Sequence, residues 1–135
     1  MAIQQTLSMI KPDAVQRNLI GSIITLIEAN NLIIKKMMMI KLSTDDAKKF
    51  YIIHKDRDFY SNLIEYMTSG QVVVLVLEGD NAVDIYRDLM GSTNPSEAKE
   101  ETIRKLYAVD TTRNSVHGSD SPENATIEID FFFKD

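Results

Sequence analysis

Residues 71–78 read QVVVLVLE, and the unbroken run of Val and Leu from Val72 to Leu77 decides the fold. Successive side chains of a strand point to opposite faces, so a continuous apolar run needs cover on both. This predicts a central strand in a sheet with packed layers above and below. The run falls far short of the roughly 20 apolar residues that cross a bilayer.

Upstream of it, Phe59, Leu63, Ile64 and Met67 recur at helical spacing, with Gly70 placed to close the helix. Ser43 and Asp46 resemble a capping box ahead of Ala47, Phe50, Tyr51 and His54, which share a helical face. Leu32–Leu42 alternates, with Ile34, Met38, Ile40 and Leu42 opposite Lys35 and Lys41, and predicts a strand with one wet face. Ile20, Ile23, Ile24 and Ile27 predict a helix stopped by Asn30 and Asn31, and Gln5–Lys11 a strand ended by Pro12. Downstream, Asn81–Met90 carries Val83, Tyr86 and Leu89 at helical spacing, with Gly91 at its end. Residues 92–118 lose periodicity apart from a helical turn at Ile103–Tyr107, and a segment this long and irregular is usually functional. Asp120 or Ser121 caps a last helix that starts on Pro122 and points Ile129 and Phe132 inward. The order is βαβ(αα)βα, then a short strand and a helix. It predicts an α/β chain folded as an α+β sandwich, and a four-stranded ferredoxin-like arrangement suits the length.

With 135 residues, 44% hydrophobic, and a formal net charge of -5, the chain suits one domain spanning residues 1–135 around a real core. The acidic balance argues against a dedicated nucleic-acid binder. The first residues show no basic segment, apolar stretch and cleavage site, so the expected compartment is the cytoplasm. There is no Cys, which excludes thiolate catalysis and Cys-based metal sites and leaves His54 and His117 as the only imidazoles.

On the last helix Ser121, Ala125, Glu128 and Phe132 share a face, so Glu128 lies in the inward stripe, where a carboxylate needs a partner. Helical side chains lean toward the N-terminus, which aims Glu128 at the turn of His117, Gly118 and Ser119. A Glu–His contact with hydroxyl support follows; the plainer alternative leaves Glu128 half-exposed and His117 at a strand end. His54, beside Phe50, Lys55 and Arg57, suits packing or the surface better than catalysis. Lys11, Arg87 and Arg104 are candidate cations for charged oxygens if the fold brings them together. The glycines are scattered, and neither a Walker A loop nor a dinucleotide fingerprint is present.

Thr6–Val15 reads TLSMIKPDAV, Gly91–Pro95 GSTNP, Thr102–Arg104 TIR and Asn114–Ser121 NSVHGSDS. In order and spacing these segments resemble the nucleoside diphosphate kinase family along nearly the whole chain. The resemblance implies a ferredoxin-like βαββαβ core with an antiparallel four-stranded sheet and added helices. It also implies Mg2+-dependent, ping-pong transfer of a γ-phosphoryl group between ribo- or deoxynucleotides through phosphohistidine at His117. It places Lys11, Arg87, Thr93 and Arg104 around the phosphates, Tyr51 near the γ-phosphoryl, Asn114 and Lys11 on the sugar hydroxyls, and Phe59 on the base. Glu128, supported by Ser119, orients His117, and the Mg2+ arrives on the nucleotide, with no protein metal site of its own. A homohexamer is expected, a homotetramer the alternative. Thr111 departs from the aliphatic residue expected on the second face of the base, Glu101 and Lys105 from glycines around TIR, and Gln71 from a proline, while Asp135 ends the sequence without a longer tail. The rival class is a non-catalytic ferredoxin-like module that binds nucleotides or nucleic acid.

Overall fold

The computed structural model describes residues 3–110 and 113–133. The strands are β1 (Ile3–Ile10), β2 (Ile33–Ile40), β3 (Val72–Asp80) and β4 (Val116–Gly118). The helices are α1 (Pro12–Gln16), α2 (Ile20–Ala29), α3 (Thr44–Phe50), α4 (Tyr60–Met67), α5 (Ala82–Met90), α6 (Ile103–Tyr107) and α7 (Pro122–Phe132). Short 3-10 turns occupy Ile52–His54 and Pro95–Glu97.

The sheet order is β2-β3-β1-β4 and every pairing is antiparallel. The Val–Leu run therefore sits inside the sheet, covered on both faces. Val73, Leu75 and Leu77 pack with Ile23 and Ile27 of α2 and Tyr86 and Leu89 of α5. Val72 and Val74 face Leu63, Ile64 and Met67 of α4, with Ile129 and Phe132 of α7 closing that layer. Each fully buried Val, Leu or Ile contributes about 1.5–3 kcal/mol, so the run alone anchors both layers.

Four expectations need correction. The strand predicted over Leu32–Leu42 spans Ile33–Ile40, and a bulge between Ile34 and Lys36 breaks its alternation. Ile34 thus packs in the α2/α5 layer while Met38 and Ile40 pack in the other, so the four residues do not share one face. The helix read through His54 stops at Phe50, where Tyr51 caps it and the chain tightens into a 3-10 turn that leaves Ile52 and Ile53 exposed. Gly70 closes nothing: α4 ends at Thr68, whose hydroxyl donates to the Ile64 carbonyl at 2.8 Å. The first strand ends at Ile10, and α1 starts at once on Pro12, whose fixed φ suits a first helical position. Ser43 and Ser121 do cap α3 and α7, accepting from the Asp46 and Asn124 amides.

Candidate active site

The short strand β4 carries His117 opposite Met9 of β1, so the sheet itself fixes the imidazole backbone. Its position is tight: a Cβ on Gly118 would lie 2.6 Å from Met90 and 2.7 Å from the Tyr86 ring. Tyr86 cannot yield, because its hydroxyl is held at 2.6 Å by Ser8, the residue paired with Gly118.

From α7, Glu128 reaches back as its helical lean requires. Its Oε1 lies 2.9 Å from His117 Nε2 and accepts from Ser119 Oγ at 2.8 Å. Both side chains are about 20% exposed, His117 at 20% and Glu128 at 21%. Ser119 is buried and is itself fixed by the Leu7 amide, which donates to its Oγ at 3.3 Å. Two aromatic rings from the end of α3 wall the imidazole. Phe50 meets it edge-on at 5.2 Å, and Tyr51 does so at 6.3 Å. The Tyr51 hydroxyl is buried without a hydrogen-bond partner among the described residues. Burial, and secondarily the Glu128 charge, push its pKa well above the usual phenol value, so it stays protonated and available to donate.

The cations form a second group. Lys11, at the end of β1, donates to Asn114 Oδ1 at 2.8 Å, and the Asn114 amide nitrogen lies 3.5 Å from the Thr93 carbonyl. Burial, reinforced by the Arg104 charge and opposed by Asp13, lowers the Lys11 pKa to about 7. Arg104 of α6 donates to the carbonyls of Gly91 and Val116 at 3.0 and 2.9 Å, which ties it to the strand carrying His117. Burial lowers its pKa, the nearby Tyr86 and Arg87 making smaller and opposite contributions. Arg87, Thr93 and Arg104 line one cleft of about 500 Å³, together with Asp84 and Asp88. Arg87 is loosely held, its Nη1 3.4 Å from the Asp120 carbonyl.

A family model described as nucleoside diphosphate kinase matches residues 4–135. The nucleoside diphosphate kinase of Lawsonia intracellularis is 53% identical over 131 residues, 97% of this chain and 95% of that protein. That of Nitratiruptor sp. is 57% identical over 131 residues, 97% of this chain and 96% of the relative. The chain belongs to the nucleoside diphosphate kinase family. Among solved structures, the nucleoside diphosphate kinase of Aquifex aeolicus superposes with a TM-score of 0.95 at 37% identity, covering 98% of this chain and 96% of that one. The halophilic nucleoside diphosphate kinase of Halobacterium salinarum, solved in complex with CDP, gives 0.95 at 37% identity, covering 99% and 90%. The antiparallel ferredoxin-like sheet expected of a nucleoside diphosphate kinase is the sheet observed.

Against this family frame, the structure joins His117, Glu128, Ser119 and Tyr51 in one cluster, and Lys11, Asn114, Thr93, Arg87 and Arg104 in the adjoining one. Phe59 stands apart. It is 43% exposed at the start of α4, and its near ring neighbour is His54 at 5.5 Å. His54 in turn lies 6.5 Å from Tyr51, so the residue read as packing does pack, between two aromatic residues expected at a nucleoside diphosphate kinase site. Glu101 adopts a φ of 69°, the left-handed region that glycine enters freely. Thr111 and Asp135 lie outside the described residues. Phe50 went unrecognised as part of the site; its one signal was adjacency to Tyr51.

Proposed function

We propose that the chain transfers the γ-phosphoryl group of a nucleoside triphosphate, ribo or deoxy, to a nucleoside diphosphate through phosphohistidine at His117. The observation that carries this reading is the Ser119–Glu128–His117 chain of hydrogen bonds. A carboxylate accepts only, so Nε2 holds the proton and Nδ1 keeps its lone pair for attack. Nδ1 forms the N–P bond as the bond from phosphorus to the β-bridging oxygen breaks, and the diphosphate leaves with that electron pair. Glu128 offsets the positive charge that the ring gains. A second diphosphate enters the same cleft and takes the group back in the reverse step.

Lys11, Arg87, Thr93 and Arg104 hold the phosphates, Tyr51 donates near the γ-phosphoryl, Asn114 and Lys11 meet the sugar hydroxyls, and Phe59 stacks on the base. The cleft lined by Arg87, Thr93 and Arg104 also carries Asp84 and Asp88. Mg2+ would be carried in on the nucleotide phosphates that Lys11, Arg87 and Arg104 hold, and would supply charge neutralisation of the departing oxygens. The chain acts as a homohexamer, with a homotetramer the alternative; edge strand β2 leaves Ile33, Met37 and Met39 exposed for a second copy to cover. No helix among the described residues is long and apolar enough to cross a membrane.

Incubation with γ-labelled ATP and Mg2+, without acceptor, should put acid-labile, alkali-stable label on the protein, and His117→Ala should take none. Label retained in that variant would sink the assignment, as would intersecting initial-rate lines in place of the parallel lines of a ping-pong mechanism.

A further inference from the structure

The group with the most converging partners outside the phosphoryl-transfer machinery is Asp13, buried in the first turn of α1 two residues after Lys11. Three segments donate to its carboxylate. The Tyr66 hydroxyl of α4 donates to Oδ1, while Arg17 Nη2 at 3.1 Å and Ser115 Oγ at 3.3 Å both donate to Oδ2. Arg17 continues to the Tyr107 carbonyl at the end of α6, so the carboxylate ties α1, α4 and, through Arg17, α6 to the segment before β4. Ser115 is fully buried with a φ of 74°, a conformation that serine holds only when its surroundings impose it. Its carbonyl accepts from the Lys11 amide at 2.8 Å, and its predecessor is Asn114, the side chain bonded to Lys11 Nζ.

We propose that Asp13 is a positioning residue: its carboxylate clamps the Asn114–Ser115 segment and α4 onto the start of α1, and so holds the Lys11–Asn114 pair in register for the sugar hydroxyls. This rests on the role given to that pair above. Asp13 touches no substrate in this account. It acts through Ser115 on Asn114 and through the turn at Pro12 on Lys11. An ordinary structural carboxylate needs one or two donors from its own helix; here two of the three come from 53 and 102 residues away, which a local helix contact does not require.

The test compares kcat/KM for dATP with that for 2′,3′-dideoxy-ATP, which lacks the hydroxyl that Lys11 and Asn114 receive. In Asp13→Asn one of the two carboxylate oxygens becomes an NH2 donor and the charge facing Arg17 is lost, so Tyr66, Arg17 and Ser115 can no longer all donate to this side chain. The wild-type preference for dATP should shrink about fivefold: both substrates share any loss at the phosphates that Lys11 also holds, and dATP alone loses the contact to its hydroxyl. Ser115→Ala, which removes the hydroxyl's bonds to Asp13 and, at 3.5 Å, to Arg17 and changes no charge, should shift the ratio the same way by about twofold, and it decides the matter if Asp13→Asn folds poorly. A lowered unfolding temperature with an unchanged ratio in both variants overturns the proposal and leaves Asp13 a structural residue. Wild-type protein that takes no label on His117 overturns the proposed function together with this inference; labelled wild type with an unmoved ratio overturns this inference alone.

Discussion

Exchanging Glu128 for Gln keeps the shape of the side chain and removes its charge. In the native site one oxygen, Oε1, accepts both from Ser119 Oγ at 2.8 Å and from His117 Nε2 at 2.9 Å. An amide oxygen accepts the same two bonds, so ring orientation and tautomer should survive. What is lost is the difference between a charge-assisted and a neutral hydrogen bond as the imidazole becomes positive. Charged bonds contribute about 1.5–3 kcal/mol against about 0.5–1.5 for neutral ones, so the transition state should lose about 1–2 kcal/mol. That is about 5- to 30-fold in the rate of phosphorylation. Glu128→Ala also frees the ring, and loss of orientation raises the effect to about 100- to 1,000-fold.

The assay is rapid-quench, single-turnover transfer from γ-labelled ATP over a range of ATP concentrations. The saturating rate should fall by these factors while the half-saturating concentration stays within about twofold, because Glu128 bonds Nε2, the ring nitrogen opposite the one proposed to attack. A saturating rate unchanged in Glu128→Gln would refute the reasoning. So would a raised half-saturating concentration at constant rate, which would make Glu128 a binding group.

Burial holds Lys11 at about 7 in the fold against 10.5 in the unfolded chain, so between those values the unfolded state binds the extra proton and stability rises with pH. Lys11→Met should therefore raise the thermal midpoint most near pH 6, the gain shrinking toward pH 10 in scanning fluorimetry; a gain independent of pH counts against the assignment. Phe59→Ala should lower kcat/KM about 5- to 150-fold for ATP, GTP, CTP and UTP alike, stacking on any base being worth about 1–3 kcal/mol. A loss confined to one base removes Phe59 from the base face. Gly118→Ala drives a methyl into a Tyr86 ring held by Ser8 and should cost about 1–3 kcal/mol in urea unfolding, whereas an unmoved midpoint would mean that β4 shifts freely.

Periodicity made much of this legible. The unbroken Val–Leu run demanded cover on both faces, and β3 has it. The lean of helical side chains aims Glu128 at His117 from sequence alone, because both lie within one strand, one turn and one helix. At two of the places where the reading failed, the deciding interaction was distant in sequence; at Gly70 it was local, the Thr68 hydroxyl on the Ile64 carbonyl. The bulge in β2 is set by pairing with β3, and no residue type in 32–42 announces it. The stop at Tyr51 follows from its ring turning inward to Phe50 and His117, 66 residues away in the case of the imidazole. Tyr51 and Thr93 were reached only through the family resemblance, and Phe50 was not reached at all. Lys11, Arg87 and Arg104 were visible as cations but not as neighbours.

The cations of the site are placed at the expense of stability. Buried charges in a fold are ordinarily paired, since an uncompensated one costs several kcal/mol. Lys11 and Arg104 are buried, yet their recorded partners are neutral: the Asn114 amide oxygen and the carbonyls of Gly91 and Val116. Arg104 Nε and the Tyr51 hydroxyl find no partner among the described residues. Asp13 is the carboxylate whose charge Lys11 feels, and its oxygens are taken by Tyr66, Arg17 and Ser115, while Asp84 and Asp88 line the Arg104 cleft. These donors therefore keep unspent capacity, fixed in place by neutral contacts that hold them without quenching their charge. In the proposed reaction a polyphosphate would supply acceptors for these donors, so part of its binding free energy would be relief of the cost of burying them. The two carbonyls also hold Arg104 in place, and in the proposed reaction, where one site receives first a triphosphate and then a diphosphate, a donor held this way would not have to be reassembled in between.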